Sequence, residues 1–431
     1  MRGILKILGL LALWGLVQNS HAVLEIEITE GVESALPIAI AAFTGDTYAA
    51  PEAMEDIVRS NLRSSGFFDV LEKQHFPQDL GSTSQVQYSI WREAGVESLL
   101  TGEVIQTGDN LYRIEFRLFD LVRQKRLSGH AISSVRREDI RKAGHKISDI
   151  VFESLTGIRG AFSTQIAYIS TSGSAPNKKY QLQIADADGH NARTIFSSSK
   201  QLMSPAWSPD GTRLAYVSFE QGNSAIYVQD VREGRRFMVS AQSGINSAPA
   251  WSPNGRYLAL TLSIDGSADI YLMDTRTRRL KRLTRDSSID TEACWMPDSK
   301  ALLFTSDRSN ETQVYRVSVR GGKPKRVTFE GAYNAAPDVS PDGRQLAFVH
   351  NSGSGFRIAV MDLRSGAMRI LTEGHLDEGP SYAPNGKMII YAASERDGGV
   401  LAAVSANGRA KRKLRTAGSD VRAPSWSPFR N

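Results

Sequence analysis

The feature that most constrains the fold of this chain is a sequence motif of about 15 residues that recurs along its second half. Ser204 to Ser218 reads SPAWSPDGTRLAYVS, and variants of it return four more times, as APAWSPNGRYLALTL, EACWMPDSKALLFTS, APDVSPDGRQLAFVH and GPSYAPNGKMIIYAA. A sixth copy, APSWSPF, begins at Ala423. The aromatic or apolar residue before the S/M/A-P element repeats at steps of 44, 44, 44, 43 and 44: Trp207, Trp251, Trp295, Val339, Tyr382 and Trp426. This fixed period predicts the blades of a β-propeller.

Each repeat predicts four short antiparallel strands. In the second copy APAW is a strand, SPNG a tight turn, and RYLALTL a strand with alternating leucines. Pro253 suits the first turn position, and we expect Asn254 and Gly255 to tolerate the positive φ of a hairpin turn. A third strand such as IYLMD (270–274) and a fourth such as RFMVS (236–240) complete the pattern.

The incomplete sixth copy predicts how the ring closes. It supplies a first strand only, whereas QIAYIS at 165–170 matches the second strand of the repeat, and 182–186 and 194–196 match the third and fourth. We therefore expect six blades, the last built from both ends of the repeat region, so that no sheet edge is left exposed at the closure.

The first 22 residues have the pattern of a cleaved export signal. Arg2 and Lys6 precede an apolar run from Ile7 to Val17, which is too short to span a bilayer, and Ser20-His21-Ala22 predicts cleavage between Ala22 and Val23. This predicts a soluble periplasmic protein. Cys294 is the single cysteine, so no disulfide can form within the chain, and its place in a repeat predicts a small buried side chain.

The chain of 431 residues exceeds one typical core and predicts two domains. Residues 23–33 begin with VLEIEIT, whose alternation predicts a strand that is either an ordinary first strand or a partner-binding one. Residues 34–160 predict a mixed α/β domain, with a strand from Leu36, a helix after Pro51, a hairpin over 111–134 and a helix over 138–155. Residues 161–431 form the predicted propeller.

Charge differs between the two predicted domains. Residues 23–160 carry 15 basic and 21 acidic residues, and residues 161–431 carry 35 and 25. A basic propeller could attract an acidic protein surface, although scattered solvated charges explain the same count. Export and the lack of interleaved basic and aromatic residues argue against nucleic acid.

Motifs for catalysis are missing from the sequence. It has no G-x-S-x-G elbow and no Walker loop, and its mature histidines lack metal-ligand spacing. One repeated position always holds Asp or Asn, which indicates a turn residue bonding to its own backbone more than a ring of cation ligands: Asp210, Asn254, Asp298, Asp342 and Asn385. We therefore expect no enzyme, no cofactor and no metal at these positions; a cation in the central channel, where acidic loops converge, stays open as an alternative.

The segments before each predicted first strand, which we expect to be loops, vary more than the strands. They read INSAP (245–249), IDTEA (289–293), YNAAP (333–337), LDEGP (376–380) and DVRAP (420–424). All should emerge on one face of the ring, around the mouth of its channel, where propellers commonly bind ligands. Tolerated loop drift is the alternative explanation.

The combination of an export signal, a small α/β domain and six WSPDG-type repeats ending in WSP resembles the TolB family, periplasmic components of the Tol-Pal envelope system. GVESALPIAI, SPAWSPDGTRLAYVSFE and PDSKALLFTSDR carry the resemblance. It implies a non-enzymatic adaptor that binds the lipoprotein Pal at the propeller mouth and TolA through its N-terminal segment, and that supports outer-membrane integrity and envelope constriction during division.

The resemblance also implies contact residues. Those facing Pal would be Asn246, Ala248, Thr291, Glu292, Asp377 and Glu378, and the segment contacting TolA would begin with Val23, Leu24, Glu25, Ile26, Glu27 and Ile28. Ile245 departs from the pattern, since a polar residue is expected beside Asn246. Two other functions stay open, a propeller that binds a sugar or small ligand in its channel and the substrate gate of a peptidase. A peptidase would need a larger catalytic domain than the 138 residues before the ring.

Overall fold

The computed structural model describes residues 35–47, 53–80, 85–174, 176–396, 398–416 and 420–430. The predicted signal at 1–22, its cleavage site and the predicted partner-binding strand at 23–33 lie outside the described residues. The remainder is one compact unit that contains an α/β domain and a propeller.

The α/β domain is built on a mixed sheet in the order β3-β1-β4-β5-β6, with β2 beside β4. Its strands are β1 Leu36–Ile40, β2 Thr44–Gly45, β3 Phe68–Val70, β4 Ser98–Gly108, β5 Leu111–Asp120 and β6 Lys125–Arg136. Its helices are α1 Met54–Ser64, α2 Tyr88–Glu93 and α3 Ile140–Thr156. Strands β1, β3 and β4 are parallel to one another, and β4, β5 and β6 form an antiparallel meander.

Apolar periodicity explains how the helices pack on this sheet. Met54, Ile57, Val58 and Leu62 lie on one buried face of α1, as their spacing predicts. Together with the buried face of α3 they form one core with Ile114 and neighbouring residues of β5. α1 is followed by Gly66 at φ +71° and α3 by Gly157 at φ +70°, the left-handed conformation that commonly ends a helix.

The propeller has six four-stranded sheets, which confirms the predicted fold class. Strands β7 Gln165–Ser172, β8 Lys179–Asp186 and β9 Arg193–Ser198 come first in the chain. The five continuous blades that follow are β10 Leu202–Trp207, β11 Arg213–Ser218, β12 Ala225–Asp230 and β13 Arg236–Ser240 in blade one; β14 Asn246–Trp251, β15 Tyr257–Leu262, β16 Asp269–Asp274 and β17 Leu280–Arg282 in blade two; β18 Asp290–Trp295, β19 Ala301–Ser306, β20 Gln313–Ser318 and β21 Lys325–Arg326 in blade three; β22 Tyr333–Val339, β23 Gln345–Asn351, β24 Arg357–Asp362 and β25 Met368–Ile370 in blade four; β26 Asp377–Tyr382, β27 Met388–Glu395, β28 Gly398–Ser405 and β29 Lys411–Lys413 in blade five.

Blade six confirms the predicted closure. Its inner strand is β30 Asp420–Trp426, which pairs antiparallel with β7 in the order β30-β7-β8-β9. The Trp426 indole donates a hydrogen bond of 2.7 Å to the Thr164 hydroxyl, and Ser427 N donates to the Gln165 carbonyl at 2.8 Å. The two ends of the repeat region are thus joined by a full ladder, and the closure leaves no unpaired strand edge between β30 and β7.

In blades one to five the tight turn after the inner strand uses its Asp or Asn as the sequence predicts, with one correction. In blade two Asn254 accepts from the backbone N–H of Arg256 at 3.0 Å, and Asp342 accepts likewise from Arg344 in blade four. The prediction of positive φ at Asn254 is wrong, since only Gly255 has it, at +69°. In blade three Ser299 takes that position at φ +56°.

Candidate functional site

The inner strand of each blade lines the central channel. β10, β14, β18, β22, β26 and β30 each contact the inner strands of both neighbouring blades, which closes a ring of six. At one end of this ring lie the connections from second to third strand and from fourth strand to next inner strand. Hydrogen bonds join the two kinds of connection. Ile245 N donates to Ser263 Oγ at 2.7 Å, and Phe356 N donates to the His375 carbonyl at 2.9 Å. We call this end the mouth; it comprises the inner strands from their first residue to the Glu292 and Glu378 positions and, in blades two to five, the described connection residues 241–245, 263–268, 283–289, 307–312, 327–332, 352–356, 371–376 and 396.

The α/β domain lies at the opposite end, against blades five and six. The Asn385 side chain, in a tight turn of blade five, donates to the Arg159 carbonyl at 3.1 Å. Asn407, in the other turn of that blade, donates to the Gly66 carbonyl at 3.3 Å. Arg141 of α3 forms an ion pair with Asp188 in the turn after β8. The mouth therefore faces away from these interdomain contacts.

Every inner strand carries a bulge at the same repeat position. The pairing register shifts there in all six blades, and one residue of each strand has positive φ: Ser204, Ala248, Glu292, Ala336, Gly379 and Ala423, at φ values between 45° and 60°. Five of the six are not glycine, so the backbone holds an unfavourable conformation around the whole channel. This corrects the expectation that the variable segments are loops, because most of their residues belong to bulged inner strands.

A buried polar side chain stands at the start of the inner strand in blades two to five: Asn246, Asp290, Asn334 and Asp377. The Asn246 amide oxygen accepts from Ser240 Oγ at 2.8 Å and from Gln242 N at 2.9 Å, and its nitrogen donates to the Gln242 carbonyl at 2.7 Å. Asp290 accepts two hydrogen bonds from Arg308. Asn246 and Asn334 hold the crossing from one blade to the next, because their amides bond backbone groups that the crossing leaves without a strand partner, whereas Asp290 does so through Arg308.

The six residues expected to contact Pal occupy three inner strands and differ in exposure. Asn246 and Asp377 are 0% and 2% exposed, so their side chains support the mouth from within. Burial raises the pKa of Asp377. Ala248, Thr291, Glu292 and Glu378 are half-buried or exposed. The structure thus brings all six to the channel end of blades two, three and five, with four of the side chains accessible.

Two of the accessible carboxylates already have partners. Glu292 accepts from the Thr305 hydroxyl at 2.9 Å and from the backbone N–H of Ala336, in the next blade, at 3.0 Å. Glu378 pairs with Arg422 of blade six at 3.0 Å. Both contacts tie one inner strand to the next, so these residues connect the blades at the mouth as well as facing it.

A cluster of His145, Asp186 and Asp188 has side-chain oxygens and nitrogens within 4.8 Å of one another at the domain interface. Arg141 bonds Asp188, and buried Arg412 lies close enough to influence both charges. His145 and Arg141 hold the pKa of Asp188 well below its usual range against the opposing effect of burial, and burial lowers the pKa of His145. Two guanidinium groups beside the carboxylates repel a cation, so the cluster fits an interdomain ion pair better than a metal site.

Two half-buried ionisable groups stand on the inner strands of blades three and four. Burial raises the pKa of the Asp338 carboxyl to about 7 and raises that of the Cys294 thiol well above its usual value. They stand at the same repeat position, 44 residues apart, next to the aromatic or apolar marker residue. The prediction that Cys294 is a small buried side chain holds only in part, since Cys294 packs against a hydrophobic core cluster but is half-buried. The sequence did not predict the bulges or the role of Asp338. A signal for Asp338 was present, because it is the one acidic residue at a repeat position otherwise held by Ala, Cys or Ser.

Among the described residues, none of the helices is both long and apolar enough to cross a membrane. Comparison with known proteins identifies both domains. Residues 24–127 match the family model "TolB amino-terminal domain", and residues 152–430 match "TolB beta propeller domain".

Whole-chain relatives agree with the domain matches. The chain is 58% identical over 414 residues to the Tol-Pal system protein TolB of Thioalkalivibrio sulfidiphilus, covering 95% of each chain, and 57% identical over 427 residues to that of Nitrosococcus oceani, covering 98% of each. The crystal structure of TolB from Acinetobacter baumannii superposes with a TM-score of 0.85 at 40% identity, covering 92% of this chain and 97% of that one. The chain belongs to the TolB family of Tol-Pal system proteins.

Proposed function

We propose that this protein is a non-enzymatic periplasmic adaptor of the Tol-Pal system, which binds Pal at the propeller mouth and TolA through residues 23–33. In this role it supports outer-membrane integrity and envelope constriction during division. The proposal is supported chiefly by one observation: the mouth presents accessible residues on inner strands that are fixed by buried anchors, on the face opposite the α/β domain. A surface whose strands are held by buried side chains suits recognition of a folded partner with little rearrangement.

The accessible mouth residues are Ala248, Thr291, Glu292 and Glu378, and we assign them to the contact with Pal. Asn246 and Asp377 act beneath them, because each is buried. Replacing a buried anchor would therefore alter the shape of the mouth, whereas replacing Thr291 would alter a contact directly. The two effects can be distinguished by measuring the free energy of unfolding of each variant together with its affinity for Pal.

The Pal assignment is tested by calorimetric titration of the soluble domain of Pal into residues 23–431. Thr291→Arg should weaken binding by tenfold or more, because a long charged side chain would occupy the contact surface. Thr277→Arg is the matched control, since Thr277 lies exposed in a turn at the opposite end of blade two. If both variants bind Pal as tightly as the wild type does, the assignment of the Pal site to the mouth is wrong.

The TolA assignment is tested separately, with the periplasmic domain of TolA titrated into residues 23–431 and into residues 34–431. We expect binding only with the longer protein. A full-strength interaction with the shorter one would place the TolA site elsewhere. If Pal changes the affinity for TolA, reciprocity requires that TolA change the affinity for Pal by the same factor.

A further inference from the structure

At the mouth, a buried residue lies at or next to the start of each inner strand, and we call the residue immediately before it the rim residue. In four of the six blades the rim residue is apolar and the buried residue is polar, the reverse of the usual arrangement. The rim residues of blades one to six are Gln201, Ile245, Ile289, Tyr333, Leu376 and Asp420, and the residues that follow are Leu202, Asn246, Asp290, Asn334, Asp377 and Val421. In blades one and six a polar rim residue precedes a buried apolar one, which is the usual arrangement because polar side chains are favoured in water and apolar ones in the core. In blades two to five an apolar rim residue precedes a buried polar one.

Exposure of these apolar side chains is a stable feature of the mouth. Ile245 is 48% exposed, Ile289 55% and Leu376 36%. Their backbones are fixed, since Ile245 N donates to Ser263 and Ile289 N to the Asp307 carboxylate at 2.8 Å. Tyr333 is half-buried, with its ring edge-on to Phe356 at 5.1 Å. We call Ile245, Ile289, Tyr333 and Leu376 the apolar arc.

The charge around the arc differs from that of the propeller as a whole. Among the described residues, the mouth connections of blades two to five contain six acidic and three basic residues, in a propeller domain with an excess of basic ones. Arg308 is paired with buried Asp290, and three of the six carboxylates are paired with basic side chains of the fourth strands: Asp265 with Arg282, Glu311 with Arg326 and Glu373 with Lys411. Three further carboxylates border the arc, those of Asp286, Asp307 and Glu330, and Glu330 is exposed. Such a border attracts a cationic surface and repels an anionic lipid headgroup.

We propose that the apolar arc is the principal contact for the protein that docks at the mouth, and that this partner presents an apolar protrusion flanked by Lys or Arg. The partner then sits off the channel axis, over blades two to five, because blades one and six offer polar rim residues. This inference rests on the proposed function, in which Pal is that partner. It assigns Ile245, the residue that departs from the family's polar pattern, to the interface.

The test compares two double variants that remove the same apolar area. Ile245→Ser with Ile289→Ser shortens the arc, while Phe237→Ser with Met238→Ser changes two side chains of similar exposure on the outer strand β13. In titrations with the soluble domain of Pal, the arc variant should bind at least tenfold more weakly. The β13 variant should bind within twofold of the wild type, and Glu330→Lys should weaken binding severalfold at low salt and less at high salt.

The outcomes separate this inference from the function on which it rests. If wild-type protein fails to bind Pal, the proposed function is overturned and the inference with it. If wild type binds Pal and the arc variant binds equally well, the inference alone is overturned. Vesicles containing phosphatidylglycerol provide a further check, since sedimentation of the wild type but not the arc variant would identify the arc as a membrane contact and also overturn the inference.

Discussion

The Asp338 carboxylate accepts a hydrogen bond of 2.6 Å from the backbone N–H of Tyr382. Asp338 belongs to the inner strand of blade four and Tyr382 to that of blade five, so this contact joins adjacent blades beside the channel. Ser381 accepts in the same way from Trp426 N at 3.0 Å, one blade further on. A neutral acceptor suffices in blade five, whereas blade four uses a titratable group in an environment that raises its pKa to about 7.

We predict that Asp338 makes the stability of the protein fall as pH rises. The folded-state pKa is raised from 3.8 to about 7, so between these values the folded protein holds a proton that the unfolded chain has lost. Stability from this group is therefore full below pH 4 and is lost as pH approaches and passes 7. Asp338→Asn keeps an acceptor for Tyr382 without the charge, and should be more stable than wild type by about 1–3 kcal/mol at pH 8. Urea unfolding at pH 4, 6 and 8 measures this; a difference that does not change with pH would contradict it.

We predict that Asp188 is needed to hold the α/β domain on the propeller. Arg141 and Asp188 are 12% and 8% exposed, and His145 Nε2 lies 3.3 Å from the Asp188 carboxylate. Asp188→Asn removes the carboxylate that Arg141 bonds at this buried interface, although Asp186 remains close by, and should cost about 3–5 kcal/mol. Faster amide exchange in α3 should accompany the loss. Asp139→Asn, which breaks the exposed pair with Lys142, is the control and should cost less than about 1 kcal/mol.

We predict that the indole hydrogen bond of Trp426 contributes to ring closure. Trp426→Phe removes the bond to Thr164 and should destabilise the protein by about 1–2 kcal/mol beyond any packing loss. Trp251 provides the comparison, because its indole nitrogen has no hydrogen-bond partner among the described residues. Thermal unfolding of Trp426→Phe and Trp251→Phe therefore isolates the bond, and equal losses would show that closure does not depend on it.

We predict that the bulge in blade two stores conformational strain. Ala248 has φ +45°, a conformation that costs a non-glycine residue roughly 1–2 kcal/mol, part of which glycine's larger unfolded-state entropy offsets. Ala248→Gly should therefore stabilise the protein by up to about 1 kcal/mol, while Ala250→Gly, in the same strand without positive φ, should destabilise it. If both changes destabilise equally in denaturant titrations, the strain is absent.

The sequence by itself determined the repeat, its period, the number of blades and the closure of blade six. These follow from local pattern, because the turn chemistry at Asn254 and Gly255 and the alternation within each strand act over a few residues. The same local signals located α1 and α3. For the candidate binding residues of the mouth, the sequence identified the segments before each inner strand but not which residues within them are accessible.

Only the tertiary structure decided which of those residues are accessible. From their polarity, Asn246 would be expected in water and its neighbour Ile245 in the core. The structure shows the reverse, because Asn246 is buried where it bonds the blade crossing and Ile245 is exposed. The reason is that backbone groups at a crossing must find partners, and that requirement depends on strands far apart in the chain. The bulges, the Asp338 contact between blades and the ion pair of Arg141 with Asp188 likewise join residues whose proximity no local pattern encodes.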